Sequence, residues 1–207
     1  MTPRGTFIVF EGGEGAGKST QERLLAEHLV SIGHDVLRTR EPGGTAAAER
    51  IRAILLDPAS AGLDVRAEAL LFAAARGDHV ARVIRPALQA GTTVICDRYL
   101  DSSVAYQGYG RQMDPDRIRE LSLWATSELL PDLTIILDID PRVGLARVSD
   151  PDRLEAEPLE YHDRVRKGFL AIAASDPKRY VVVDAMQAPD DVAEQIMERV
   201  EHLLSAR

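Results

Sequence analysis

The sequence predicts an α/β fold in which a parallel sheet carries helices on both faces, and three observations support it. Short apolar runs alternate with longer helical patterns along the 207 residues, as crossover units around a parallel sheet require. The runs are almost uniformly apolar, so both faces of each strand are expected to be covered. The first run also leads straight into a glycine-rich turn and a helical pattern.

Taken in order, "TFIVF" predicts a strand from Thr6 to Phe10, followed by a helix from Lys18 to Ile32. Further strands are expected from Val36 to Thr39, from Thr93 to Cys96, from Leu133 to Leu137 and from Tyr180 to Val183. Between them the patterns predict helices from Thr45 to Leu56, Arg66 to Ala90, Pro115 to Thr126, Pro141 to Arg147 and Leu159 to Ala174. A last helix spaces Val192, Ile196, Val200 and Leu203 along one stripe. No repeat or long linker interrupts the series, so one domain over 1–207 is expected. The stretch "VSDPDRLEAEP", Val148 to Pro158, is polar and proline-bearing and reads as a mobile loop.

Composition narrows the function classes. An apolar fraction of 45% supports a core for one sizeable domain. No apolar run approaches the roughly 20 residues of a membrane span, and no signal-like segment opens the chain, so a cytoplasmic protein is expected. The single cysteine, Cys96, lies in an apolar run and reads as a buried small side chain. A formal charge of −8 argues against a broad nucleic-acid face, while local arginines can still build an anion pocket.

The turn after the first strand reads "FEGGEGAGKST" and fits the P-loop pattern, with Gly12, Gly17, Lys18 and Ser19 at the fixed positions. Small residues let backbone N–H groups crowd a phosphate, and the helix that follows points its N-terminus at the anion. The nucleotide site is therefore expected over Gly12, Gly13, Glu14, Gly15, Ala16, Gly17, Lys18, Ser19 and Thr20. Lys18 would bridge the outer phosphates, and the Ser19 hydroxyl would be a ligand of Mg²⁺.

Ligands of such sheets collect at the carboxyl ends of the strands. There the chain carries "RTREPGGT" and "CDRYLDSSVAYQGYGR". Arg40 and Arg98 are either satisfied surface arginines or phosphate contacts, and their place beside the P-loop favours contact. Asp97 is an acidic group for Mg²⁺ or a sugar hydroxyl, or else a turn cap.

With "FEGGEGAGKSTQ", "TREPGGT", "LLFAAAR", "VICDRYLDSSVAYQG" and "PDLTIILDIDP" in this order, nearly the whole chain resembles the thymidylate kinases. The resemblance implies a three-layer P-loop nucleoside monophosphate kinase fold, a five-stranded parallel sheet flanked by helices with a short lid. It implies phosphorylation of dTMP to dTDP by ATP with Mg²⁺, in a homodimer to which the Arg66 to Ala90 helix contributes. On the same ground Arg40 and Glu41 approach the acceptor, with Gly43 and Gly44 permitting the turn. Asp97 lies near sugar and metal, and Arg98 clamps the dTMP phosphate. Phe72 stacks on thymine, Arg76 bonds a thymine carbonyl, Ser103 reads the base edge, and Tyr106 and Gln107 pack around sugar and base. Without the resemblance, Phe72 reads as a core residue.

The sequence departs from the family pattern twice. Relatives whose P-loop lacks arginine carry a basic lid, whereas this lid is short and acidic. Arg153 is the first candidate for a catalytic lid residue, solvated in the open state and swung over the phosphates on closure; Arg147 is the alternative. The other departure is Gly77, which should cost about 1 kcal/mol of helix stability relative to Ala. The competing functions are a kinase for another nucleotide and a weakly active ATP-binding paralogue. A guanine-specific switch would carry an Asn-Lys-x-Asp segment, which the chain lacks.

Overall fold

In a computed structural model, which describes residues 4–205, the expected strands are β1 (Phe7–Gly12), β2 (Val36–Arg40), β3 (Thr93–Asp97), β4 (Leu133–Asp138) and β5 (Tyr180–Asp184). They form one parallel sheet in the order β2-β3-β1-β4-β5, which puts β1 at its centre. Every strand runs one to three residues beyond its last apolar residue. Backbone pairing is indifferent to side-chain polarity, so it carries Glu11, Arg40, Asp97, Asp138 and Asp184 onto the carboxyl edge.

The helices are α1 (Lys18–Ser31), α2 (Ala46–Leu56), α3 (Val65–His79), α4 (Arg85–Gln89), α5 (Leu100–Ser103), α6 (Pro115–Thr126), α7 (Pro141–Leu145), α8 (Leu159–Ser175) and α9 (Pro189–Ser205). Side-chain oxygens of Thr45, Asp64, Asp114 and Asp140 cap α2, α3, α6 and α7, which fixes where those helices begin. The expected helix from Arg66 to Ala90 is two helices joined by a wider π turn over Val80–Ile84. Pro86 explains it, having no N–H to offer the carbonyl four residues earlier.

One helical segment escapes the sequence pattern altogether. α5 continues as π turns over Val104–Gly110, and Leu100 to Gly108 are all buried. A segment covered on all sides has no polar face, so it shows no amphipathic stripe.

Side chains of β1 alternate between the layers. Ile8 and Phe10 pack with Leu25 and Leu29 of α1 and with Val192, Ile196 and Val200 of α9, against which Leu203 is partly buried. Phe7 and Val9 pack on the opposite face with Ile84, Leu88 and Tyr99. Tyr106, Tyr161 and Phe169 form a further cluster where α8 crosses the π segment. The expectation that every strand is covered on both faces holds for β1, β3 and β4. It fails at the edges: all of β2 is at least partly exposed, and Val182 of β5 is 44% exposed, because an edge strand has a neighbour on one side only.

Gly77 has a reason that helix propensity misses. A Cβ there would lie 3.0 Å from the Ala125 carbonyl oxygen of α6, so glycine lets α3 and α6 pack closely. Gly77→Ala is therefore expected to leave Tm unchanged or lower it. A rise of roughly 2–4 °C, the return of about 1 kcal/mol of propensity in a chain this size, would show that the packing argument is wrong.

Candidate active site

The carboxyl end of β1 turns through the glycine-rich loop into α1, whose N-cap is Gly17 in the left-handed conformation, φ 88°. No side chain among the described residues caps α1, unlike α2, α3, α6 and α7. Its first residues line a cleft walled by Glu14 to Thr20, Arg40, Asp97 and Arg98. An uncapped helix start with lysine in its first turn suits an anion. Lys18 Nζ donates to the carbonyls of Gly12 (3.2 Å) and Gly13 (2.8 Å). Burial pulls the Lys18 pKa down, with the Arg98 charge acting in the same direction and Asp97 and Glu14 opposing. The P-loop is seated by contact: a Cβ on Gly15 would run into the Gly144 carbonyl of α7.

Ser19 and Asp97 meet at the floor of this cleft. Ser19 Oγ donates to Asp97 Oδ2 at 3.2 Å, and Asp97 Oδ1 is buried without a hydrogen-bond partner among the described residues. No cluster of three or more His, Cys, Asp or Glu that could hold a metal occurs among them. One hydroxyl and one unsatisfied carboxylate oxygen fit a hard cation that takes its remaining ligands from phosphates and water.

Arg98 closes the end of the cleft. Its backbone is left-handed, φ 68°, which is uncommon outside glycine and requires surrounding restraint. Glu11 supplies it: its buried carboxylate accepts from Tyr99 N (2.9 Å), Ser102 N (3.0 Å) and Ser102 Oγ (2.5 Å). The guanidinium donates to Gly12 O (3.0 Å), Ser102 Oγ (3.3 Å) and Glu14 Oε2 (2.9 Å), and lies over the Tyr106 ring. Burial works against this charge, but Glu14 foremost holds the Arg98 pKa well above the ordinary value. Burial also pushes Glu14 upward, yet Arg98, Lys18 and the Tyr106 hydroxyl bring its pKa below the ordinary carboxylate value.

Beyond Arg98 lies a second cavity. Phe72, Leu56 and Leu154 give it an apolar end, and Ser103, Tyr106 and Gln107 line it with polar groups. Glu14, Glu41, Arg52, Arg98 and Glu155 are walls of both spaces. Phe72 is half-buried at the cavity wall, not in the core.

Other expected residues sit differently. Glu14, assigned to the nucleotide loop alone, reaches both spaces. Arg40 lines the P-loop cleft, where it bonds both Glu49 oxygens (3.1 Å each) and Pro42 O (2.8 Å). Arg76 is not in the wall of the second cavity. It is buried behind it, donating to Glu41 (2.7 Å), Ser103 Oγ and Ser122 Oγ (3.1 Å each) and Tyr99 O (3.0 Å), so Ser103 stands between it and the cavity. Glu41 is shared with buried His79, whose ring lies 3.2 Å away.

The lid departs furthest from expectation. Its residues form an ordered turn in which Asp152 Oδ1 accepts from Leu154 N and Glu155 N (2.8 and 3.0 Å), while Asp152 N donates to Glu155 (2.8 Å), a reciprocal arrangement like a helix capping box. Arg153 is 9% exposed rather than solvated, lines neither space, and pairs with Glu68 at 2.7 Å. Arg147, by contrast, donates to the P-loop carbonyl of Gly15 at 2.9 Å from an exposed position.

Arg52 was missed by sequence reading. It sits where the two spaces join and donates to Pro42 O at 3.1 Å. A signal existed: Arg52 lies three and four residues after Glu49 and Ala48, so one helical face carries all three.

Glu11 gives the site a pH dependence. Burial and the neighbouring Asp101 carboxylate push its pKa up to about 8 from 4.5, against the Ser102 hydrogen bond, the Arg98 charge and the Tyr99 N–H. The folded state thus keeps a proton that the unfolded state has lost. Stability associated with Glu11 is complete below about 4.5 and is lost as pH rises toward about 8. Tm should fall across this window more steeply in the native protein than in Glu11→Gln, whose side chain does not titrate. Parallel melting profiles would remove Glu11 as the source.

Comparison with known proteins bears on the whole arrangement. The sequence profile of the thymidylate kinase family matches residues 10–196. A thymidylate kinase of Leifsonia xyli subsp. xyli is 53% identical over 95% of this chain and 95% of its own. That of Cutibacterium acnes is 48% identical over 97% and 98%. The crystal structure of thymidylate kinase from Ehrlichia chaffeensis superposes with a TM-score of 0.80 at 37% identity, over 96% of this chain and 99% of that one. A match over nearly the full length, with the P-loop and the second cavity meeting at Arg98, leaves one conclusion: the chain belongs to the thymidylate kinase family.

Proposed function

We propose that the chain transfers the γ-phosphoryl group of ATP to dTMP, forming dTDP and ADP. The observation that carries this reading is the shared wall. A donor phosphate held by the P-loop and an acceptor phosphate at the mouth of the second cavity would both lie against Arg98 and Arg52. The cavity's apolar end, with Phe72, suits a pyrimidine ring, and Ser103 and Gln107 offer polar groups to its edge.

In this reaction an acceptor phosphate oxygen attacks the γ-phosphorus as the bond to the β–γ bridging oxygen breaks, and ADP leaves with that oxygen. The acceptor is already anionic, so no general base is required. What the protein supplies is alignment and positive charge in a site from which water is excluded. Lys18 would turn from the Gly12 and Gly13 carbonyls to the outer phosphates. Arg98 and Arg52 would hold the acceptor. The exposed Arg147, already on the P-loop, is the lid-side arginine best placed to reach the moving phosphoryl group. Mg²⁺ would be held by Ser19 and Asp97 and would offset phosphate charge there.

We also read the chain as one domain with a lid near 148–158, acting as a cytoplasmic homodimer. No helix among the described residues is long and apolar enough to cross a membrane. Leu70 of α3 and Trp124 of α6 are large apolar side chains left 57% and 79% exposed on two helices that pack together, and each would offer apolar contact to a second copy. Sedimentation of Trp124→Glu beside the native chain tests this, and a native monomer at micromolar concentration would sink it.

A coupled assay with dTMP, dUMP, dCMP, AMP and GMP should give the highest kcat/KM for dTMP; no turnover of any of them would favour the weakly active paralogue. In calorimetric titration Arg98→Ala should bind dTMP about 30-fold more weakly, about 2 kcal/mol, and should lose less affinity for ATP, whose phosphates the P-loop and Lys18 still hold. Arg147→Ala should lower kcat at least about tenfold at unchanged dTMP affinity. Full kcat in that variant would end the assignment of Arg147.

A further inference from the structure

The carboxylate of Glu68 gathers more cations than any role given so far requires. Glu68 lies on α3, one turn before Phe72, and is fully buried. It accepts from Gln107 Nε2 (3.0 Å) and from Arg111 Nε and Nη2 (3.2 Å each). Arg153 Nη1 of the lid reaches the same group at 2.7 Å. Burial pushes the Glu68 pKa upward, but Arg111, Gln107 and Arg153 bring it below the ordinary carboxylate value.

Arg153 is held from a second side as well. Its Nε donates to Leu55 O at 2.7 Å and its backbone N to Leu56 O at 3.3 Å, on the carbonyls that end α2, where a cation complements the helix dipole. The lid is thereby fastened to α2 and α3 together. Its neighbours Asp152, Leu154 and Glu155 form part of the wall of the second cavity, which Phe72 and Gln107 also line. Glu68 and Arg153 themselves line neither space, so their effect must pass through the groups they hold.

We propose that Glu68 and Arg153 are positioning residues that fasten the lid over the nucleoside end of the acceptor cavity, so that this ion pair governs the binding of the nucleoside monophosphate and not the transfer step. The proposal rests on the second cavity being the dTMP site. A bound base would rest between Phe72 and the lid segment that Arg153 anchors, while Gln107, held by the same carboxylate, keeps its place in the wall. Of the lid residues beside Arg153, Asp152 and Leu154 border the acceptor cavity alone and only Glu155 also borders the donor cleft.

The experiment is steady-state kinetics and calorimetric titration of Arg153→Ala, Arg153→Lys and Glu68→Gln beside the native chain, with dTMP and ATP as the ligands and a thermal melt for each variant. In Arg153→Ala the dTMP KM and Kd should rise about fivefold or more, the scale of a typical coupling free energy. The ATP KM and the kcat at saturating dTMP should stay within about threefold. Arg153→Lys keeps a cation for Glu68 and should recover part of the dTMP affinity. General structural damage would instead lower kcat through a smaller active fraction and leave both KM values alone. Glu68→Gln takes away the only carboxylate that pairs with buried Arg153 among the described residues and one of the two that pair with Arg111, and is expected to melt earlier; if it fails to fold, the arginine variants decide. Unchanged dTMP affinity in folded Arg153→Ala overturns the proposal, as does a tenfold loss of kcat at unchanged dTMP KM, which would make Arg153 act on the phosphoryl group. Failure of the native chain to bind dTMP would strike the functional reading first, and is seen separately in the native titration.

Discussion

Two phosphate groups repel each other, and a site that joins them must set positive charge where they meet. Arg98 is the residue on which this constraint falls. Its guanidinium is bonded at once to the P-loop carbonyl of Gly12 and the carboxylate of Glu14, and it forms a wall of both spaces. To reach that position its backbone adopts φ 68°, a conformation that Glu11 holds through the two N–H groups and the hydroxyl that follow it. Strand β1 contributes Glu11 and Gly12, and β3 delivers Arg98, so the pairing of these two central strands sets the geometry of the site.

A buried guanidinium is costly to leave unpaired. The chain accordingly commits its inner arginines to carboxylates: Arg98 to Glu14, Arg76 to Glu41, Arg153 to Glu68. These pairs differ in what a substrate can do with them. The Arg98–Glu14 pair borders the open spaces, and an incoming phosphate can take the place of the carboxylate. Arg76 and Arg153 are enclosed with their carboxylates. The half-buried Arg52 makes a carbonyl contact at the junction of the two spaces, where burial and the Arg40 charge lower its pKa despite Glu49 and Asp152. A phosphate there would relieve that desolvation.

The acidic lid follows the same division. Where a basic lid would bring arginines over the donor, this one uses Arg153 to close on α2 and α3, and only Arg147 faces the P-loop. Its acidic residues are not idle surface charge. Asp152 and Glu155 cap one another, and Glu157 pairs with Arg111 at 2.5 Å, tying the far end of the turn to the group that also grips Glu68.

The sequence by itself determined the strands, the P-loop and the carboxyl-edge residues Asp97 and Arg98, because these depend on local pattern. Apolar runs mark central strands, and a glycine spacing with Lys18 and Ser19 marks a phosphate loop wherever a strand and a helix flank it. Phe72, Ser103, Tyr106 and Gln107 were legible through family resemblance and lie together at one cavity. Tertiary structure alone decided where each arginine is held. Arg153 reads as a free lid cation until Glu68 is seen beneath it, Arg76 is bonded to Glu41 and Ser103 behind the cavity wall, and Arg52 reads as one more charge on α2 until it is seen where the two spaces join. The reason is physical: secondary structure follows from neighbours in the chain, whereas the state of a buried charge is set by whichever distant carboxylate the fold brings within about 3 Å of it.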